Sequence, residues 1–340
     1  MQRKKIITIL ALLISPTIFA VSFQGIGMPP SDAKNVVGIS ADKTIVSHYS
    51  IPNWIWTNMM YTTPSYPGGI IDISDDGSTI IGYVSGENSF YTVTNGVVNI
   101  IPGVAGFSLT TPTAISANGL KIVGTTRGGV LQTPGWVYEN GSYTQLPLPD
   151  GATGTHSLHI SNDGSVIAGT VWGGSAAFHV VLWENDNINV LPNPEGEFFT
   201  ACAISGDGKT VAAGHYRWQD GIIDIIPILT GFTSASVKAL SFDGSVVFGN
   251  AYNDYGSIAF VWDEINGTRL LKDFLEDDYG LDLTNWNLLS VSATDASGNI
   301  ITGYGINPQG KGELWIAQIP EPATIALIAM GLGLMIKKRT

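Results

Sequence analysis

The side chains that could do chemistry in this 340-residue chain are few and scattered. His48, His156, His159, His179 and His215 form no His-x-x-x-His or His-Glu-x-x-His pair that a helix could turn toward one zinc ion. His159 and His179, beside Ile160 and Phe178, read as strand residues. Asp72-x-Ser74-x-Asp76-Gly77 has the opening of a calcium loop, but the later ligands and the closing Glu are missing. Asp76-Gly77 is already explained as a turn. Asp273, Glu276, Asp277 and Asp278 could supply the paired carboxylates of glycoside hydrolysis, which stand about 5 to 9 Å apart. They flank a helical apolar pattern and read as its solvated face. No Gly-x-Ser-x-Gly elbow is present. Cys202, the single cysteine, cannot form an internal disulfide and reads as a buried thiol on a strand. The sequence therefore assigns no catalytic residue, no metal ligand and no cofactor.

The aromatic residues divide into two groups. Trp136, Trp183, Trp262 and Trp315 recur at one repeat position and belong in a core. Trp172 and Trp218 fall outside it, beside Gly173, Gly174, Arg217 and Gln219, and read as loop residues. Exposed indoles there could stack on sugar rings, with ordinary loop packing as the alternative.

The element behind these positions is a repeat. Ile160-Ser161-Asn162-Asp163-Gly164-Ser165-Val166-Ile167-Ala168-Gly169 has copies marked by Ser40, Ser74, Ser116, Ser205, Ser241 and, with Asp for Ser, Asp295. The marks are spaced 34, 42, 45, 44, 36 and 54 residues apart. Their mean of about 42 is the length of a four-stranded propeller blade. In each copy an Ile or Leu ends one strand, x-Asp-Gly or x-Asn-Gly makes the turn, and a β-branched run begins the next strand. A Gly eight residues after the mark predicts a bulge or a close backbone approach where blades crowd together. The first copy has Lys43 and His48 at its two glycine positions. Asn95-Gly96, Asn140-Gly141 and Asn266-Gly267 predict type I′ hairpin turns. Leu270 to Leu275 predicts a short helix before Gly280.

These patterns predict an all-β chain, a β-propeller over residues 21–318. Repeat seven has three strands and stops at Ala317, and a lone strand, Val21 to Ile26, precedes repeat one. The lone strand should complete the last blade, closing a ring of seven four-stranded blades and removing two exposed sheet edges. A six-bladed ring with Ile39 to His48 as a connection is the fallback.

Residues 1–20 read as a signal peptide, with Arg3-Lys4-Lys5 before an apolar run ending near Ala20; an uncleaved anchor is the alternative. Residues 319–340 hold Pro320-Glu321-Pro322, an apolar run Ala323 to Ile336, and Lys337-Lys338-Arg339. The run spans about 21 Å as a helix, short of a bilayer core of ~30 Å. The basic cluster keeps that end cytoplasmic. In this order the three parts resemble the PEP-CTERM sorting signal of Gram-negative bacteria. The resemblance implies a C-terminal transmembrane helix, a transient inner-membrane anchor, processing by an exosortase-type enzyme near Pro320 to Pro322, and a cell-surface or extracellular-matrix destination. The repeats, with segments such as Ala259-Phe260-Val261-Trp262, resemble the HAF family of extracellular repeat proteins, which offers no catalytic residues to carry over.

Residues 1–20 and 323–340 together hold six basic and no acidic residues, so losing them takes the formal charge from −12 to −18. Such a surface disfavours nucleic acid and anionic lipid and tolerates neutral or cationic glycans and divalent cations, or the acidity serves only to keep a secreted protein soluble. The expectation is an exported, non-enzymatic propeller with a binding or structural role beside exopolysaccharide. A polysaccharide hydrolase or lyase, with carboxylates converging on the axial channel, and a protein–protein scaffold are the alternatives.

Overall fold

The computed structural model describes residues 21–30, 34–47, 52–129, 132–185, 187–194, 197–200 and 202–320. Residues 1–20, on which the signal-peptide expectation falls, His48, Glu321, Pro322 and residues 323–340 lie outside the described residues. Seven antiparallel sheets of four strands each follow one another, and six of them run in simple chain order. The seventh takes its outermost strand, Ser22–Gly27, from the N-terminus. That strand pairs with Gly312–Gln318, matching Ser22 to Gln318 and Phe23 to Ala317. Phe23 packs edge-on against Trp286 at 5.0 Å and stacks on Trp315 at 5.8 Å. The ring is thus closed with seven blades, as the repeat count and the lone strand required.

The mark residue explains why each hairpin forms. Ser161 Oγ donates to Asp163 Oδ1 (2.8 Å) and accepts the Val166 N–H (3.0 Å). Asp163 Oδ1 also accepts the Ser165 N–H at 2.9 Å, and Gly164 takes φ 74°. The Ser165 backbone N–H, then the Ser165 and Ser161 hydroxyls, hold the Asp163 carboxyl below its ordinary value. The same knot recurs at Ser74, Ser116, Ser205 and Ser241. Blade 7 swaps the roles: Ser297 Oγ donates to Asp295, which accepts the Ile300 N–H at 2.8 Å. Blade 1 keeps the knot with Lys43 at φ 67°, the left-handed region that favours glycine.

Three expectations need correction. The Gly eight residues after the mark is crowded from within its own blade. A Cβ at Gly124 would lie 2.2 Å from the Trp136 ring of the facing strand, and one at Gly303 2.5 Å from Trp315. Asn95-Gly96 and Asn140-Gly141 have positive φ at both residues, as type I′ turns require, but at Asn266-Gly267 only Gly267 does. There Asp263 pairs with Gly267 across a three-residue loop, and its carboxylate accepts the Ile265 and Asn266 N–H groups. Neither tryptophan read as a loop residue is in a loop: Trp172 ends the strand Val166–Trp172 of blade 4, and Trp218 lies in the strand Tyr216–Gln219 of blade 5, 4 % exposed.

The hairpins sort the molecule into two faces. The Ser-x-Asp-Gly turns sit on one side, the turn face. The longer connections between second and third strands and between blades sit on the other, the loop face. The helix, Leu271–Asp277, lies in one such connection and buries Leu271, Phe274 and Leu275. Asp273 and Asp277 point outward, as the solvated-face reading has it. No helix among the described residues is long and apolar enough to cross a membrane.

Candidate functional site

The innermost strands of the seven blades line an axial channel, and their geometry follows from one bulge. In blades 1, 2, 3, 6 and 7 the inner strand carries one extra residue three before the mark: Val37, Ile71, Thr113, Lys238 and Ser292. A bulge bends the strand and re-aims neighbouring side chains. The residue after it faces the axis, except in blade 7. Around the axial cavity that column reads Gly38, Asp72, Ala114, His159, Ala203 and Ala239, while its blade 7 member, Ala293, is buried in the core between blades 7 and 1. The column is small throughout except for one acid and one imidazole.

Asp72 and His159 line a cavity of about 170 Å³ with Asp75, Asn162, Lys238 and Asp295. Gly38 leaves room for the acid, since a Cβ there would lie 2.7 Å from Asp72 Oδ1. Asp72 accepts the Ile73 N–H (2.8 Å) and, from blade 3, the Ile115 N–H (3.2 Å). Burial pushes its carboxyl up to about 7, although the two N–H groups pull the other way. Burial pushes the His159 imidazole down to about 4. The cavity is roomy and polar enough to hold several waters. Small-molecule sites start at about 300 Å³, so this one does not admit a sugar chain.

The turn-side mouth is laced shut. Main-chain bonds from the first or second residue after the mark link blades 1 to 7 in turn, among them Ala117 N–H to Asn162 O (3.1 Å) and Asn162 N–H to Gly206 O (2.9 Å). Two side chains span the opening. Asp75 Oδ1 accepts the Ala296 N–H at 2.9 Å, and Asn162 Nδ2 donates to Ala296 O at 3.0 Å. Burial raises the Asp75 carboxyl, and Asp295, Asp76 and Asp42 add to it against the Ala296 bond. Among the described residues no group of three or more His, Cys, Asp or Glu is arranged to hold a metal ion.

The loop face is open and aromatic. Trp172 ends the strand Val166–Trp172, 40 % exposed, with its indole laid over Gly154 and its edge toward His156. The loop after it, with Phe178 at φ 64°, lines a groove of about 470 Å³ holding Asp150, Ser175 and His179. Phe178 and Phe198, both exposed, form an edge-to-face pair at 5.6 Å. Trp218 does not join them. Its Nε1 donates to Pro192 O and its ring meets Phe199 edge-on, so no indole face is open to a sugar. Cys202 is buried, its thiol pushed up to about 12. Pro320 follows the last strand at the turn face, where Ile319 N–H bonds Asn299 O at 2.8 Å.

The sheets and their closure define a seven-bladed β-propeller. No protein-family model matches the sequence, and no curated protein matches it. Solved structures share the fold. An oligogalacturonate lyase from Vibrio parahaemolyticus is similar with a TM-score of 0.58 at 12% identity, over 88% of this chain and 97% of that one. An oligogalacturonate lyase in complex with manganese gives 0.57 at 12% identity over the same shares. The β-propeller domain of Cps50 (Swd1) from Myceliophteria thermophila gives 0.54 at 10% identity, over 88% of this chain and all of that one. At such identities the likeness concerns the fold alone.

Proposed function

We propose that the protein is an exported, non-enzymatic propeller that binds or organises exopolysaccharide at the cell surface or in the extracellular matrix. The observation that carries this reading is the contrast between the exposed Trp172, Phe178 and Phe198 of the loop face and an axial cavity of only 170 Å³. Aromatic faces on a loop surface suit sugar rings. The tail beginning at Pro320, with Glu321 and Pro322, is the sorting motif in this reading. An exosortase-type enzyme processes it after a transient inner-membrane stage.

A polysaccharide hydrolase or lyase is the second reading, and Asp72 and His159 on the axis are what favour it. The size of the cavity and the laced turn-side mouth weigh against it. A pull-down of exported protein on the producing cell's matrix polymer separates the readings. Retention that drops on Trp172→Ala, without new reducing or unsaturated chain ends, supports binding. New chain ends would overturn it in favour of the enzyme, and retention on matrix protein alone would favour a scaffold. Intact mass is the readout for sorting: exported protein that still carries residues 323–340 contradicts processing at the motif.

A further inference from the structure

At the loop-side mouth of the axis, blades 6 and 7 and the connection into blade 1 enclose a pocket of about 310 Å³. Two lysines line it. Lys34, from the connection, donates to Tyr304 Oη at 2.9 Å and stands 4.0 Å over that ring. Lys238 is the extra residue of the blade 6 bulge, between Val237 paired to Gly249 and Ala239 paired to Phe248. Ser292 holds the same place in blade 7, and both bulge residues line this space, Lys238 also bordering the axial cavity that holds Asp72, Asp75 and Asp295. Ser290 and Tyr252 add further hydroxyls. The wall is pre-set: Asn250 is buried and bonds both the N–H (2.7 Å) and the C=O (3.0 Å) of Val291 in the next blade.

The charge here runs against the rest of the domain. Residues 21–322 carry −18, yet no carboxylate is among the described residues lining the pocket. Neither lysine is ion-paired with a described carboxylate, whereas Lys121, Lys209, Arg217, Arg269 and Lys272 all are. Two lysines lining one small space put positive charge there that an anion would balance. The anion's chemistry follows from the rest of the lining. There is no Arg fork of the kind that grips phosphate bidentately. Two tyrosines and two serines instead offer ring faces and hydroxyl partners, as a sugar needs.

We infer that this pocket is a receptor site for a uronic acid residue, its carboxylate set between Lys34 and Lys238 and its hydroxyls meeting Ser290, Ser292 and Tyr252. This rests on the exopolysaccharide reading and narrows it. A chain charged at every residue is repelled by a domain whose residues 21–322 carry −18. The fitting polymer is therefore one whose uronates are sparse or terminal.

Calorimetric titration of the purified full chain tests this with three probes: glucuronate, glucose and inorganic phosphate. Glucuronate binds, glucose binds at least about tenfold more weakly, and added salt weakens glucuronate alone. Lys34→Gln and Lys238→Gln each lower glucuronate affinity about tenfold, while Lys311→Gln, on an exposed loop of blade 7, leaves it unchanged. Equal affinity for glucose and glucuronate overturns the inference, as does indifference to both lysine variants. Phosphate that displaces glucuronate assigns the pocket to phosphate and overturns the sugar. Glucuronate binding without polymer retention would sink only the broader reading. Polymer retention without glucuronate binding would sink only this one.

Discussion

The two ends of the axis are built from the same seven repeats and are opposites. At the turn end every blade spends its polar groups on its neighbours. Ser and Asp side chains close each hairpin, main chains bond around the ring, and Asp75 and Asn162 cross the opening. At the loop end the connections vary in length and sequence, and Lys34, Lys238, Trp172, Phe178 and Phe198 stay available. A repeat that fixes one face by hydrogen bonds leaves the other free to change without loss of the ring.

The contrast presupposes a closed ring, so its hardest test is to open one. Deleting residues 21–27 should abolish the single cooperative melt and lower Tm by well over about 10 °C. An unchanged melting temperature would mean that the N-terminal strand closes nothing. Next in size is a substitution at each end. Ser161→Ala bares a buried Val166 N–H and should cost about 1 to 3 kcal/mol in urea unfolding. Tyr255→Ala, on a residue 98 % exposed at the loop face, should stay within about 0.5 kcal/mol. Equal losses would erase the distinction between the ends.

Titration sharpens it further, because both shifted groups lie at the turn end. Asp72 moves from 3.8 up to about 7, so the native state keeps a proton that the unfolded chain releases. Its contribution is whole below pH 3.8 and is lost as pH rises to 7. His159 moves from 6.5 down to about 4, so between those values the unfolded chain takes a proton that the native state refuses. Stability from that group rises with pH across the same window. In the wild type the two slopes oppose. Asp72→Asn should make stability climb from pH 4 to 6.5, and His159→Gln should make it fall. Asp75, Asp295 and Lys238 also line the cavity, and comparison with wild type cancels them. If neither variant alters the slope, the buried pair is not what titrates. The smallest effect is a gain: Lys43→Gly relieves a left-handed lysine and should add about 1 kcal/mol, read as a higher urea midpoint.

Architecture was legible because the repeat carries it. The spacing of the marks gave the blade count, and a three-stranded last repeat called for the lone first strand. Trp218 was misplaced because blade 5 is compressed. Only Gly214 and His215 separate its second and third strands, so the tryptophan seemed too early for a strand. Asn266-Gly267 has the dipeptide of a type I′ turn, but Asp263 captures the loop with its carboxylate and makes it one residue longer. The axial side chains were missed for a deeper reason. Strict alternation cannot tell axis from blade interior once a bulge has shifted the register. The signal was present in columns: aligned on the mark, the position two before it is small in five copies, and Asp72 and His159 stand out. Lys34 lies in a connection outside the repeat, and no column contains it.

The closing strand has one more consequence. Ser22 starts where Gln318 ends, and Ile319 bonds Asn299 in a turn of blade 7, so the chain enters and leaves the disc at one spot on its rim, on the turn face. Whatever holds the protein by either terminus hangs it from that spot. The laced side then looks back toward the support, and the lysine pocket and the exposed rings look outward. A support that grips either end would therefore meet the disc at one place on its rim rather than at two.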